Sequence, residues 1–241
     1  MESPTLELDY AGYSIKGINH RRNEDRYRML GNKSPQIKRM NRGELFAVFD
    51  GMGSAPKGAE AAQLMCDSLM SIYDEQKEKP SLQDIRNLLF QGNMSINGWG
   101  TIEGTQREIG ACAGSIIWIQ EDTMTIFHAG DTFGVLLLND ADSDNEYQLL
   151  TTEHAFGDGL TNYFGIGESI DIEIRTTRLE DGDIVLLLTD GIIKAMALQT
   201  VAAKTREWIG KSPEYAVRSL CTLAKNLGSS DDITAVMIEI V

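Results

Sequence analysis

Two of the most apolar runs in the chain stop at the same pair of residues: LFAVF (45–49) ends in Asp50-Gly51, and IVLLLT (184–189) ends in Asp190-Gly191. A third, ITAVMIEI (233–240), begins directly after Asp231 and Asp232. Short continuous runs of this kind read as strands buried on both faces. A carboxylate at the end of such a strand carries a desolvation cost unless it is paired, hydrogen-bonded or bound to a cation. A lone Asp-Gly is commonly a turn, which is the reading for Asp158-Gly159 and Asp181-Gly182. Three acids at the ends of three buried strands instead constrain the fold, because strands lying side by side would bring the carboxylates to one edge. Clustered like charges stay ionised only beside something cationic. The candidate ligands are all oxygen donors, so the implied ion is hard, Mg²⁺ or Mn²⁺, and a pair of ions is compatible with them.

The remaining pattern places these strands in an α+β chain. Period-2 or continuous apolar runs predict strands over 10–15, 26–30, 44–49, 113–119, 124–129, 134–138, 170–176, 184–188 and 233–240. Helical spacing occurs in four places, 58–74, 82–98, 197–209 and 213–227, with Ser212 as N-cap and Pro213 in the first turn of the last. Strands in blocks and helices in pairs, in place of strict βαβ alternation, point to antiparallel sheets. With no long linker, repeat or low-complexity block, residues 1–241 read as one domain.

Composition removes several classes of function. The formal charge of −14 over 241 residues argues against nucleic acid as a partner, since phosphate backbones reward basic patches. Cys66, Cys112 and Cys221 are odd in number and widely spaced, which fits neither a disulfide framework nor a cysteine zinc site. The expected compartment is a reducing cytoplasm. The opening MESPTLELDY has no basic or apolar leader, and no apolar run approaches the ~20 residues of a membrane span, so no membrane partner is expected. The acidic stretch 139–146 lacks the sixth-position Gly and later Glu of a calcium loop and reads as a hairpin loop.

Two segments remain. DGMGSAPKGAEAA (50–62) has the Gly53 to Gly58 gap of a phosphate-binding P-loop, but Ala59 and Glu60 follow where Lys and Ser/Thr are needed, and its third glycine is misplaced for a dinucleotide fingerprint. GINHRRNED (17–25) runs three basic side chains, His20, Arg21 and Arg22, into Glu24 and Asp25. It is either a solvated charge cluster or a place where an anion and a cation are both bound. In the second reading Glu24 and Asp25 hold metal-bound waters while the basic residues face an anionic substrate. Two bridged ions and an anion site suit phosphate-ester hydrolysis without a covalent nucleophile. His128, within a strand, and His154, in a loop, read as structural.

Taken in order, these segments resemble the metal-dependent serine/threonine protein phosphatases of type 2C over nearly the whole chain. Asn23-Glu24-Asp25 resembles the family's acidic motif, Asp50-Gly51-Met52-Gly53 its DGxG motif, and Gly130-Asp131-Thr132 its GDS turn with Thr for Ser. Residues 160–165 (LTNYFG) resemble a later LTxxLG segment, Thr189-Asp190-Gly191 the SDG motif, and Asp231-Asp232-Ile233-Thr234 the DNxT motif with Asp232 in place of Asn. The resemblance implies a four-layer α-β-β-α sandwich of two antiparallel sheets flanked by helix pairs. It implies two Mn²⁺ or Mg²⁺ ions, bridged by Asp50, with the Gly51 carbonyl on one and Asp190 and Asp231 on the other. Glu24 and Asp25 would act through metal waters, Asp131 would help hold a third ion, and a bridging water would attack phosphoserine or phosphothreonine of a protein substrate in signalling.

Three departures accompany it. The family's phosphate-holding Arg is here His20, which leaves open whether His20, Arg21 or Arg22 grips phosphate. The flap beside the active site, about 154–160, is much reduced. Asp232 adds an acid beside a metal ligand. The alternative is a regulatory module of the same fold that binds a phosphoprotein without turnover.

Overall fold

The computed structural model describes residues 6–76, 78–102, 109–139, 146–157 and 159–241. Most of the acidic stretch expected to be a hairpin loop, and Asp158 of the expected Asp158-Gly159 turn, lie outside these residues. The chain begins with β1 (Leu8–Ile15), β2 (Arg26–Leu30), a short α1 (Pro35–Met40) and β3 (Glu44–Gly51). Next come α2 (Gly58–Ser68), extended by a 3-10 turn over Leu69–Tyr73, and α3 (Leu82–Ile102). Three strands follow, β4 (Cys112–Gln120), β5 (Thr123–Ala129) and β6 (Phe133–Leu137), and then three two-residue strands, β7 (Gln148–Leu149), β8 (Ala155–Phe156) and β9 (Gly159–Leu160). The chain closes with β10 (Glu173–Arg178), β11 (Ile184–Leu188), one-turn α4 (Asp190–Ile193), α5 (Leu198–Ile209), α6 (Pro213–Asn226) and β12 (Ile233–Ile240).

Two five-stranded sheets result, ordered β1-β12-β11-β6-β7 and β10-β5-β4-β3-β2, with a separate β8-β9 hairpin. Neighbouring strands pair antiparallel throughout both sheets. The side-chain period of two explains why the central strands are apolar at every position. On β3, Leu45, Ala47 and Phe49 pack into the layer formed with α2 and α3, while Phe46 and Val48 point into the space between the sheets. On β11, Ile184, Leu186 and Leu188 face α5 and α6, and Val185 and Leu187 meet the opposite sheet. The outcome is the expected α-β-β-α sandwich, with one core between the sheets and one under each helix pair.

At α6, Ser212 Oγ accepts from the Tyr215 N–H at 3.1 Å and Pro213 occupies the first turn, as the spacing predicts. Three expectations change. The acid-tipped strands are not three neighbours in one sheet: β11 pairs with β12, whereas β3 lies in the other sheet, so their ends meet across the gap between sheets. Asp190, expected at the end of β11, also opens a one-turn helix, α4, that the residue pattern does not mark. The strand expected over 170–176 runs instead from Glu173 to Arg178, an exposed sheet edge whose EIRTTR sequence gives no clean alternation. Helices α1 and α4, six and four residues long, are too short to show a helical period. Among the described residues, no helix is long and apolar enough to cross a membrane.

Leu187 has no exposed surface at the centre of the inter-sheet core. Leu187→Ala is expected to lower unfolding free energy by about 2–5 kcal/mol in urea denaturation; a loss below about 1 kcal/mol would show that the two sheets do not depend on this contact.

Candidate functional site

Continuing the strand alternation past the last apolar residue puts polar groups at one end of the inter-sheet space. Thr189 and Thr234, fully buried on β11's exit and within β12, both donate to Asp25 Oδ2, at 2.9 and 2.6 Å. Asp25 precedes β2 in the other sheet, so this carboxylate ties the sheets together at 2% exposure. Asn23 supports it: its Oδ1 accepts from the Asp25 N–H, and its amide donates to Ser14 Oγ, which in turn bonds Thr234 Oγ1.

The glycines after Asp50 and Asp190 do not make turns. A Cβ on Gly51 would lie 2.6 Å from the Gly58 backbone, and one on Gly191 would lie 2.0 Å from the Asp232 carbonyl oxygen. Each Asp-Gly is thus a point where two backbones pass without room for a side chain. Asp181-Gly182 is the contrasting case, a true turn with Gly182 at φ 87°.

These approaches gather the acids. Asp50, Asp131, Asp190 and Asp231 line one cleft of about 350 Å³ together with His20, Gly51 and Lys194. An adjoining cleft of about 470 Å³ shares Asp131, Asp190 and Lys194 and extends under the β8-β9 hairpin to Phe133, Glu153 and Ile193. Burial, reinforced by the charges of Asp25 and Asp190, raises Asp50 well above the usual carboxylate range. Burial pushes Asp25 up to about 7 against the opposing hydrogen bonds from Thr234 and Thr189. Asp131 is raised to about 6, by burial first and then by Asp190. Asp190 is raised by burial, an effect the adjacent Lys194 opposes.

Some of this charge is answered internally. Lys194 Nζ lies 2.5 Å from Asp190 Oδ2 and 2.7 Å from Asp231 Oδ2. The His20 ring reaches Asp232 Oδ2 at 2.8 Å and Asp231 Oδ1 at 3.3 Å. The hydrogen bond that the ring donates to Asp232 outweighs partial burial and raises the His20 pKa. Asp232 faces away from the cleft floor: it accepts the Gly17 and Glu24 N–H groups, each at 2.7 Å, and so pins the 17–24 loop over the strand ends. Of the three basic residues in that loop, only His20 lines the cleft. Arg22 turns away to a bidentate pair with Glu60 at 2.7 Å and a contact to Glu24, and Arg21 is exposed.

The residues present fit hard cations. Asp25 Oδ1 and Asp190 Oδ1 are buried without any hydrogen-bond partner, an arrangement that costs free energy unless something electropositive meets them. Sequence reasoning passed over Lys194 and the Thr189/Thr234 clamp on Asp25. The Thr signal was present within the TDG and DDIT segments, whereas nothing in the residue pattern marks Lys194.

A second set, His128, His154 and Glu173, has potential ligand atoms within 4.8 Å of one another. Its ring nitrogens are already committed. His128 Nε2 donates to the carbonyls of Gly130 and Thr152, so its Nδ1 accepts from Ser115, whose oxygen bonds Thr132. His154 Nδ1 accepts from the Gly130 N–H, leaving Nε2–H toward Glu173 at 3.9 Å. The set braces Gly130, the residue before Asp131, against the base of the hairpin.

A sequence profile described as protein phosphatase 2C matches residues 20–227. The serine/threonine protein phosphatase PstP of Mycobacterium tuberculosis is 24% identical over all of this chain, which spans only 46% of that protein. Among solved structures, the PstP catalytic domain in complex with two manganese ions superposes with a TM-score of 0.80 at 23% identity, covering 98% of this chain and 100% of that one. PppA, a regulatory component of the type VI secretion system in Pseudomonas aeruginosa, gives 0.79 at 21% identity over 97% and 98% of the two chains.

Burial holds His128 neutral and pushes its pKa down to about 4 from an ordinary 6.5. The unfolded chain therefore binds the extra proton first, and stability drops as pH is lowered from about 6.5 toward about 4. His128→Gln, which keeps a donor for the two carbonyls, is expected to shrink the stability gap from wild type across that window in urea titrations at pH 7.5 and 4.5. A gap independent of pH would contradict the neutral, buried assignment.

With the motif order, the fold and the gathered acids in agreement, the chain belongs to the protein phosphatase 2C family.

Proposed function

We propose that this chain is a Mn²⁺- or Mg²⁺-dependent phosphoprotein phosphatase acting on phosphoserine and phosphothreonine. The observation that carries the reading is the convergence of Asp50, Asp190 and Asp231 on one cleft, with Asp190 Oδ1 buried without a hydrogen-bond partner. Two ions bound there would supply Lewis acidity and an activated water, the chemistry of metal-assisted phosphate-ester hydrolysis. Asp50, at the end of β3, and the Gly51 carbonyl beside it would hold the ions together with Asp190 and Asp231. Asp25, buried behind them, and Glu24 would act through metal-bound waters. Asp131, at the mouth shared by the two clefts, is the candidate for a third ion. The PstP catalytic domain, whose fold this chain shares, holds two manganese ions, which supports the same loading here.

His20 is the phosphate-facing residue of the 17–25 loop. Its ring is tethered to Asp232, so it presents an oriented imidazole where relatives would present a guanidinium fork. The adjoining cleft beneath the short β8-β9 hairpin is the path for the substrate chain. The resulting phosphatase would act on phosphoproteins in a signalling role within the cytoplasm.

Hydrolysis of p-nitrophenyl phosphate and of a phosphothreonine peptide, with Mn²⁺, Mg²⁺ or EDTA, tests this. Activity should require the metal and fall by about 100-fold or more in Asp50→Asn; metal-independent turnover would sink the mechanism, and inactivity with every metal would favour a phosphoprotein-binding module. His20→Ala should raise KM more than it lowers kcat, and an unchanged KM would remove His20 from phosphate binding.

A further inference from the structure

We propose that Lys194 is the resident countercation of the Asp190–Asp231 pair, so that an ion loads at these carboxylates only by displacing it. This rests on the metal reading above and says which of the two positions is the weaker. Lys194 caps α4: its N–H donates to the Asp190 carbonyl at 2.8 Å, and the four-residue spacing lays its side chain over Asp190. The ammonium then bridges Asp190 Oδ2 and Asp231 Oδ2, the oxygens on two separate elements that would share a divalent ion. An ion bound to the same oxygens at ordinary Mg²⁺ distances of about 2.1 Å would stand close to the ammonium, and two cations at that separation repel strongly in a partly buried site.

The geometry also provides an exit. The Lys194 side chain is 56% exposed on a flexible stem, so it can leave the pair for solvent without disturbing the fold. Asp50 has no comparable cation: among the described residues it forms no ion pair, and the charges that act on it most are those of Asp25, Asp190, Asp131 and Asp231. The two ion positions are therefore unequal. The Asp50–Gly51 position is open, and the Asp190–Asp231 position is guarded by a charge that belongs to the protein.

Calorimetric titration of Mn²⁺ into the full chain, wild type against Lys194→Met, reads this directly. Methionine keeps the stem length without the charge. Wild type is expected to show a strong and a weak class of site, and Lys194→Met to tighten the weak class by about tenfold or more, with a correspondingly larger Mn²⁺-induced rise in Tm. Lys194→Arg keeps the cation and should keep the weak class. It also decides the matter should Lys194→Met fail to fold: a single strong class of Mn²⁺ sites in Lys194→Arg, with no weak class, overturns the proposal. Equal affinities in wild type and Lys194→Met overturn this inference while leaving the metal site intact. Absence of Mn²⁺ binding in every form overturns both.

Discussion

The crowding of carboxylates at one end of the inter-sheet space is the constraint on which the rest of this structure turns. Asp25, Asp50, Asp131, Asp190, Asp231 and Asp232 arrive there from both sheets, within or just beyond the ends of strands, and those next to Asp50, Asp190 and Asp232 (β3, β11 and β12) are almost wholly apolar. They are handled in different ways. Asp232 is satisfied by two backbone N–H groups and His20, and becomes the anchor of a loop. Asp25 is clamped by two threonine hydroxyls on one oxygen while the other has no partner. Asp190 and Asp231 share one lysine. Asp50 forms no ion pair among the described residues and is buried beside Asp25 and Asp190. A sandwich that tolerates this arrangement has its excess negative charge directed into a cleft, and divalent cations are the simplest complement.

The fold supplies the rigidity that such a site needs. Because β3, β11 and β12 are buried on both faces, Asp50, Asp190, Asp231 and Asp232 sit on or beside strands that cannot shift without disturbing a core on either side. The close approaches at Gly51 and Gly191 set the separation of the elements to within the width of a methyl group. Around this rigid floor the variable parts are short: a two-residue-stranded hairpin, the 17–25 loop, and the single turn of α4.

Much of this was readable in advance, for a definite reason. Continuous apolar runs mark β11 and β12 to the residue, since a strand buried on both faces leaves a sharp boundary where polarity begins. The same rule singled out Asp50, Asp190 and Asp231 as acids in unusual places. What the residue pattern does not carry is long-range pairing. The placement of β3 in the opposite sheet from β11 and β12, the commitment of Arg22 to Glu60, and the reach of Lys194 to Asp231 all join residues far apart in sequence. The edge strand β10 was shifted because its exposed, charged residues satisfy no period. His128 and His154 illustrate the converse: their proximity resembles a metal set, but the carbonyl partners of His128 Nε2 leave that nitrogen as a donor.

The central claim is that the acids of the cleft, and not the histidine set beneath the hairpin, hold the cations. Anomalous diffraction at the manganese edge from crystals soaked in Mn²⁺ tests it most directly. The account predicts peaks among Asp50, the Gly51 carbonyl, Asp190 and Asp231, with the peak at Asp190–Asp231 the weaker. Peaks confined to His128, His154 and Glu173, or none at the acids at saturating Mn²⁺, would contradict it.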